Sequence, residues 1–341
     1  MEKTVVIGDL HFGIKMADER YLDYQMEEWK KFIDGYCREN DVNQIIILGD
    51  FFDNRNYLSV KMIDMVKRNV LSYDMDFVLV VGNHDTLYRN TNAVTSPGLL
   101  FEYKDNVKVI DVVQEMYIDD VKCLMLPWMN KENINQSLAF VKKTAAEFCF
   151  AHLELNDFEM TSGIKCKNGL NASLFKKFKG VFTGHFHLVQ DVGNIHYLGS
   201  FYQTTWTDCG DQKRIYLVKE DFNMVAVPMT RQIYKKIHLS KKVPISQEIV
   251  DSAADCYVKV YLNYKMTKKE EKLLSKMADC GIKVDIIDLR LLLDEDDGNI
   301  KEEDFLEIFN GFMEIQEELD PDLKTAISVL MKTTYNEALE K

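Results

Sequence analysis

Five short clusters of Asp, Asn and His stand out, because each follows at once on an apolar run. They are Gly8-Asp9-Leu10-His11, Gly49-Asp50-Phe51-Phe52-Asp53, Gly82-Asn83-His84-Asp85, Ala151-His152 and Gly184-His185-Phe186-His187. Six of the seven histidines lie in or just downstream of this set. Oxygen and imidazole donors without thiolate suit Mn, Fe or Zn better than a structural zinc cage or an all-oxygen calcium site. One Asp-x-His alone is more often a capped turn than a ligand pair; five clusters in order, each after an apolar run, are a much stronger signal. Two divalent ions about 3.5–4 Å apart, sharing one carboxylate, activate a water and hold a phosphate for in-line attack, which takes about seven ligands. Asn83 can offer its amide oxygen, leaving His84 free for acid work, typically worth about 10²–10⁴ in rate.

The apolar runs read as strands: Thr4–Ile7, Gln44–Leu48, Phe77–Val81, Val107–Val113, Lys122–Leu126, Glu147–Phe150 and Lys179–Phe182. Helical spacing appears between them, over Asp18–Arg38 with Leu22, Met26, Trp29, Ile33, Tyr36 and Cys37 on one face, and over Val60–Tyr73. Strands alternating with helices predict an α/β domain, whose ligands gather beyond the carboxyl ends of the strands. Trp29 and the Met and aromatic positions on these helix faces read as core packing. After about Val227 the pattern becomes one β-α-β unit: strand Tyr257–Leu262, capped helix Thr267–Cys280, strand Lys283–Leu293. The acidic stretch 294–304 reads as a linker, followed by two amphipathic helices broken at Asp320-Pro321.

In this order the motifs D-x-H, G-D-x-x-D, G-N-H-D, H and G-H-x-H resemble those of the calcineurin-like metallophosphoesterase superfamily. With Tyr197-Leu198-Gly199-Ser200, the β-α-β unit and the C-terminal helices, the chain is similar to SbcD-type nuclease subunits, phage recombination endonuclease subunits included. That resemblance implies an α/β sandwich of two mixed sheets flanked by helices, with a small β-α-β capping domain and C-terminal helices. It implies one ion held by Asp9, His11, Asp50 and His187 and a second by Asp50, Asn83, His152 and His185, with Asp50 bridging. His84 then protonates the leaving oxygen and Asp53 orients His84; many nuclease relatives carry histidine at the Asp53 position, and Ala151 stands where glycine is usual. The implied metal is manganese, with magnesium or another transition metal as alternatives. The implied partners are DNA and an SMC-like coiled-coil ATPase, the subunit forming a homodimer within a heterotetramer active in recombination and double-strand-break repair. The domains expected are 1–227 (nuclease), 228–293 (capping and DNA-binding), 294–304 (linker) and 305–341 (partner-binding).

Length and composition agree with this layout. The 341 residues suggest two domains or more, and 46% hydrophobic content excludes disorder and fibrous repeats. The net charge of −13 argues against a polyanionic partner only on average, because 15 acids against 4 bases lie from Asp294 onward, leaving the rest at −2. Two stretches have no acid. One, 160–190, holds Lys165, Lys167, Lys176, Lys177 and Lys179; the other, 222–247, holds Arg231, Lys235, Lys236, Lys241 and Lys242. Each is a candidate phosphate contact, with solvated surface charge as the alternative. The Tyr- and Arg-bearing loop Thr86–Gly98 is either a backbone contact or a plain connection. Phe305, Ile308, Phe309 and Phe312 on the penultimate helix form a candidate partner face, unless the helices fold back on the body. His196 and His238 read as hydrogen-bonded or surface histidines. Seven scattered cysteines without a C-x-x-C pair, no apolar leader and no membrane-length apolar stretch predict a reduced, cytoplasmic protein, in the host cytoplasm if phage-encoded. The runner-up function is a phosphatase or phosphodiesterase on a small molecule or protein; a catalytically dead scaffold would show eroded motifs, and none is eroded.

Overall fold

Runs of β-branched and aromatic residues too apolar to face water form the centre of the fold. The computed structural model describes residues 3–288 except 16–18, 71, 162–163, 220–221 and 230. The first sheet begins with β1 (Lys3–Ile7), β2 (Val42–Ile47), β3 (Asp76–Val80) and β4 (Val107–Ile110), paired in parallel in that order. The chain then crosses to a second sheet through β5 (Gln114–Ile118), β6 (Val121–Leu126) and β7 (Phe148–His152). A small hairpin, β8 (Glu159–Thr161) with β9 (Ile164–Lys165), precedes β10 (Gly180–Gly184), β11 (Gln190–Val192) and β12 (Ile195–Tyr197). Finally β13 (Arg214–Lys219) and β14 (Asn223–Pro228) return to the first sheet as antiparallel strands on the β1 side. The second sheet runs β11-β12-β10-β7-β6-β5, with four parallel strands inside antiparallel edges. The expected sandwich of two mixed sheets is what the chain builds.

Alternation along the strands assigns the faces. Val6, Ile46, Val78 and Val80 of the first sheet meet Cys123, Met125, Phe150 and Phe182 of the second in one core. The next residues along, Leu124, Leu126, Cys149, Ala151 and Val181, face the other way onto Val141, Phe175 and Phe178. The helices are α1 (Glu19–Lys31), α2 (Val60–Asn69), α3 (Ser96–Phe101) and α4 (Ile134–Lys143), and α1 widens into a π-helical turn over Phe32–Cys37. Trp29 of α1, fully buried, lies 6.4 Å from Phe77 of β3, ring to ring, so that sheet is apolar on both faces. Each large side chain buried this way contributes roughly 1.5–3 kcal/mol. Ser59 caps α2 by accepting from the Met62 N–H at 3.1 Å.

The chain divides into two compact units between Lys235 and Lys236, inside β15 (Tyr234–Leu239). The second unit carries a sheet of order β15-β16-β17, with β16 (Tyr257–Leu262) and β17 (Lys283–Asp288) parallel. Helices α5 (Gln247–Ser252) and α6 (Lys268–Cys280) complete it. A Thr267–Glu270 capping box starts α6, and Val258, Val260, Leu262, Val250 and Met277 form the core.

Candidate metal centre

The carboxyl ends of β1, β2 and β3 from one sheet and of β7 and β10 from the other converge. Asp9 and His11 follow β1, Asp50 follows β2, Asn83 and His84 follow β3, His152 ends β7, and His185 and His187 follow β10. Three of these residues have left-handed backbones: His11 (φ 44°), Asp50 (φ 47°) and His185 (φ 93°). Such strain costs on the order of 1–3 kcal/mol per residue and concentrates at functional sites. The neighbouring glycines answer to close approach. A Cβ on Gly82 would stand 2.2 Å from Asp50 Oδ1, one on Gly184 2.2 Å from Asp9 Oδ1, and one on Gly49, itself at φ +99°, 2.1 Å from His152 Nδ1.

Two groups of donor atoms face each other across the Asp50 carboxylate. On one side the Nε2 atoms of His11 and His187 lie 2.9 Å apart, and Asp9, His11 and His187 together can hold an ion. On the other side Asn83 Oδ1 is 2.9 Å from both His152 Nε2 and His185 Nδ1, and Asp50, His152 and His185 can hold another. Asp50 Oδ2 sits 3.5 Å from His152 Nε2 and 3.7 Å from His11 Nε2, reaching both groups. Such donor-to-donor spacings fit atoms sharing a coordination sphere, and three carboxylates, Asp9, Asp50 and Asp85, are at most 2% exposed here. Buried anions so crowded call for cations, so the donor set fits divalent metal.

Titration reflects the crowding. Burial, reinforced by Asp50, pushes Asp9 well above the usual carboxylate range. Burial works against charge on His11, but Asp53, Asp50 and Asp9 overcome it and hold His11 up at about 9. Asp50 goes the other way: burial opposes its charge, yet His152, His84 and His11 keep it well below the usual range. Burial, with His152 and His11 respectively as neighbours, drives His185 and His187 down to about 3, which leaves both rings neutral and able to donate lone pairs.

A layer of hydrogen bonds behind the donors sets which nitrogen faces inward. His152 Nδ1 donates to the Leu48 carbonyl at 2.7 Å, so its Nε2 lone pair points to the centre. His187 Nδ1 meets Thr204 Oγ1 at 3.0 Å, and that hydroxyl donates to Asp208 Oδ2 at 2.7 Å, so Nε2 is again the free atom. Lys213, 2% exposed, bonds both Asp208 and the His187 carbonyl. Gln25 of α1 donates to the His11 carbonyl at 2.9 Å. Asp85 accepts from the main-chain N–H groups of Phe51, Phe52 and Gly82, tying the loop after β2 to the turn after β3. Thr204, Asp208, Gln25 and Asp85 were outside the predicted site; Asp85 was inside a motif, but Thr204 and Asp208 follow no strand-end pattern.

His84 belongs to neither of these two groups, but with His11 and Asp53 it forms a third set of donors close enough to hold an ion. Its main-chain N–H donates to Asp50 Oδ1 at 2.8 Å, its ring is 5.0 Å from that of His11, and its Nδ1 bonds the Asp53 carbonyl. The Asp53 carboxylate points instead to His11 Nδ1, 3.2 Å away. The orienting contact of Asp53 on His84 is therefore made by main chain, and its side chain acts on His11. Among the basic candidates, Arg231 pairs with Glu28 at 2.7 Å and Glu27 at 3.4 Å, and Lys177 donates to the carbonyls of Lys142 and Thr144. Both are partly spent on intramolecular contacts. Lys165, Lys176 and Lys236 are exposed and Lys235 is half-buried. His196 pairs with Asp191 at 2.6 Å, and exposed His238 stacks on Tyr261. Phe305, Ile308, Phe309, Phe312 and the linker lie outside the described residues.

Two sheets delivering this donor set from five strand ends define a metallophosphoesterase, and the chain belongs to the calcineurin-like phosphoesterase family, whose model matches residues 2–189. It is an enzyme of the class that hydrolyses phosphoesters with divalent metal. More particularly, the chain is 30% identical over 276 residues to Exonuclease subunit 1 of Enterobacteria phage T4, covering 80% of each. Solved structures similar to it include Pseudomonas putida nuclease MPE (18% identity, TM-score 0.32, 66% of this chain and 87% of that one). A dimetal phosphatase from Danio rerio is another (12% identity, TM-score 0.41, 67% of this chain and 95% of that one). No helix among the described residues is long and apolar enough to cross a membrane.

Proposed function

We propose that the protein is a two-metal DNA nuclease, hydrolysing phosphodiesters as the nuclease subunit of a cytoplasmic recombination and repair complex with an SMC-like ATPase. The observation that carries this reading is the 30% identity to a phage exonuclease subunit across 80% of both chains, which extends well past the family's own domain. Asp9, His11, Asp50 and His187 hold one ion, Asp50, Asn83, His152 and His185 the other, and manganese suits this mixed oxygen and imidazole set. His152 and His187 offer Nε2 because Leu48 and Thr204 accept from their other nitrogens. His84 protonates the departing oxygen: with Nδ1–H given to the Asp53 carbonyl, its Nε2 is the atom left for the substrate. Asp53 supports His11 through its carboxylate.

In this reading Lys235 and Lys236, at the boundary of the two units, and the exposed Lys165 and Lys176 track the phosphate backbone, and Phe305, Ile308, Phe309 and Phe312 dock the ATPase, within a heterotetramer built on a homodimer of this chain. Cleavage of end-labelled linear and hairpin DNA with Mn or Mg, with and without a candidate ATPase, tests it. DNA products that depend on metal support the reading; hydrolysis of a small phosphodiester without any DNA cleavage overturns it.

A further inference from the structure

Next to the histidines that end β7 and follow β10, the chain leaves a cavity of about 180 Å³ walled by Trp128, Ile134, His152, Leu153, Glu154 and Leu170. His152 belongs to both the metal-centre cluster and this wall, so the cavity adjoins the metal centre. Trp128, from the loop after β6, forms one wall. Its ring is 5.1 Å from that of His185, tilted by 34°, and 5.9 Å from that of His152. The indole is half-exposed, yet its backbone is pinned. Its N–H donates to Val81 O at 2.8 Å, and its carbonyl accepts from Asn92 at 3.0 Å and Asn133 at 3.1 Å, while Asn130 bonds Asn92 at 2.8 Å. Three asparagines thus anchor the main chain that carries a large aromatic ring into the wall of an apolar slot before any ligand arrives, which is the preorganisation a binding site needs.

Resting on the nuclease reading, we propose that this slot takes the base of a nucleotide adjoining the scissile phosphate, stacked on Trp128. The chemistry of the walls selects that occupant. Leu153, Leu170 and Ile134 disfavour a sugar or a phosphate, and the Glu154 carboxylate, whose Oε1 accepts from Cys166 Sγ at 3.5 Å, repels phosphate while its other oxygen can accept from an exocyclic amine. Asn168, at the exposed rim, adds an amide that can meet a base edge. A base seated there is unstacked from its neighbours, so the substrate is a single strand or a frayed end.

The test uses the full-length protein with manganese and labelled single-stranded oligonucleotides, each carrying one abasic residue at a defined distance from the cleaved phosphate. Wild type is expected to show a KM raised about tenfold when the abasic residue falls at the slot, with kcat changed less than about twofold. Trp128→Ala is expected to raise KM by a similar factor on the intact oligonucleotide and to add nothing on the abasic one, while Trp128→Phe stays near wild type. Ile134→Trp, which fills the slot from the start of α4, gives the same base-dependent loss should Trp128→Ala fold poorly. Equal losses on intact and abasic DNA, or none, overturn the slot alone. A wild type that hydrolyses bis-p-nitrophenyl phosphate but no oligonucleotide overturns the nuclease reading, and the slot with it.

Discussion

His84 gives its Nδ1–H to a main-chain carbonyl, so the form able to release a proton from Nε2 is the imidazolium. If the two ions occupy the groups that share Asp50, leaving the His11–Asp53–His84 set without one, His84→Ala is expected to keep two equivalents of bound metal and lose about 10²–10⁴ in cleavage rate. Loss of metal along with activity would place His84 in the coordination shell. Asp50→Asn is expected to weaken both sites, since its carboxylate reaches both donor groups; calorimetry showing only one site weakened contradicts a bridging role. A third expectation follows from His11, whose folded-state value of about 9 exceeds the ordinary 6.5. Its stabilisation is present in full below pH 6.5 and is lost as pH rises to about 9, a window in which His185 and His187, at about 3, no longer titrate. Denaturant unfolding of metal-free protein should therefore show falling stability from pH 6.5 to 9, to which the buried carboxyls Asp85, held up at about 7, and Asp9, also held up, contribute in the same direction; His11→Asn should make the fall shallower, and an unchanged slope contradicts it. The ligand-type residues were legible because each directly follows an apolar run. Thr204 and Asp208 were not, since they reach His187 through space from a segment without a strand-end pattern. The Asp53 carbonyl contact has no side-chain signature at all.

At the scale of elements, the parallel strands at the centre of each sheet were readable as unbroken β-branched runs, because both of their faces are covered. The edge strands escaped: β11 has no buried residue and spans three positions, and β14 is exposed or half-exposed throughout. Val107–Val113 was read as one strand, yet β4 ends at Ile110, where the chain leaves the first sheet for the second. The strand ends act as a unit through glycines that admit their neighbours. Gly82→Ala brings a methyl group against the Asp50 carboxylate and the loop that carries it. Because that Cβ also stands 2.3 Å from the Asp50 main-chain nitrogen, it is expected both to weaken Mn binding about tenfold or more and to lower the unfolding midpoint. Binding as tight as wild type would show that the turn after β3 has slack that the packing denies.

At the scale of the whole molecule, the alternation of strands and helices pointed to an α/β domain, but a single alternating pattern does not say that the strands divide between two sheets. That followed from the family resemblance, and the alternate residues of β6 and β7, facing two different cores, show why the division is stable. The acid-free stretches give a fifth expectation. Charge reversal at Lys235 and Lys236 should reduce the log–log salt slope of duplex binding by roughly 0.9 per lost phosphate contact while sparing hydrolysis of a small phosphodiester; an unchanged slope makes them ordinary surface charges. The central claim, a two-metal centre cutting DNA, is tested most directly by titrating metal-free full-length protein with Mn while following cleavage of labelled linear DNA. Cleavage is expected to reach its plateau at two bound equivalents and to disappear in Asp50→Asn. Full cleavage at one equivalent, or cleavage that survives complete removal of metal, would contradict it.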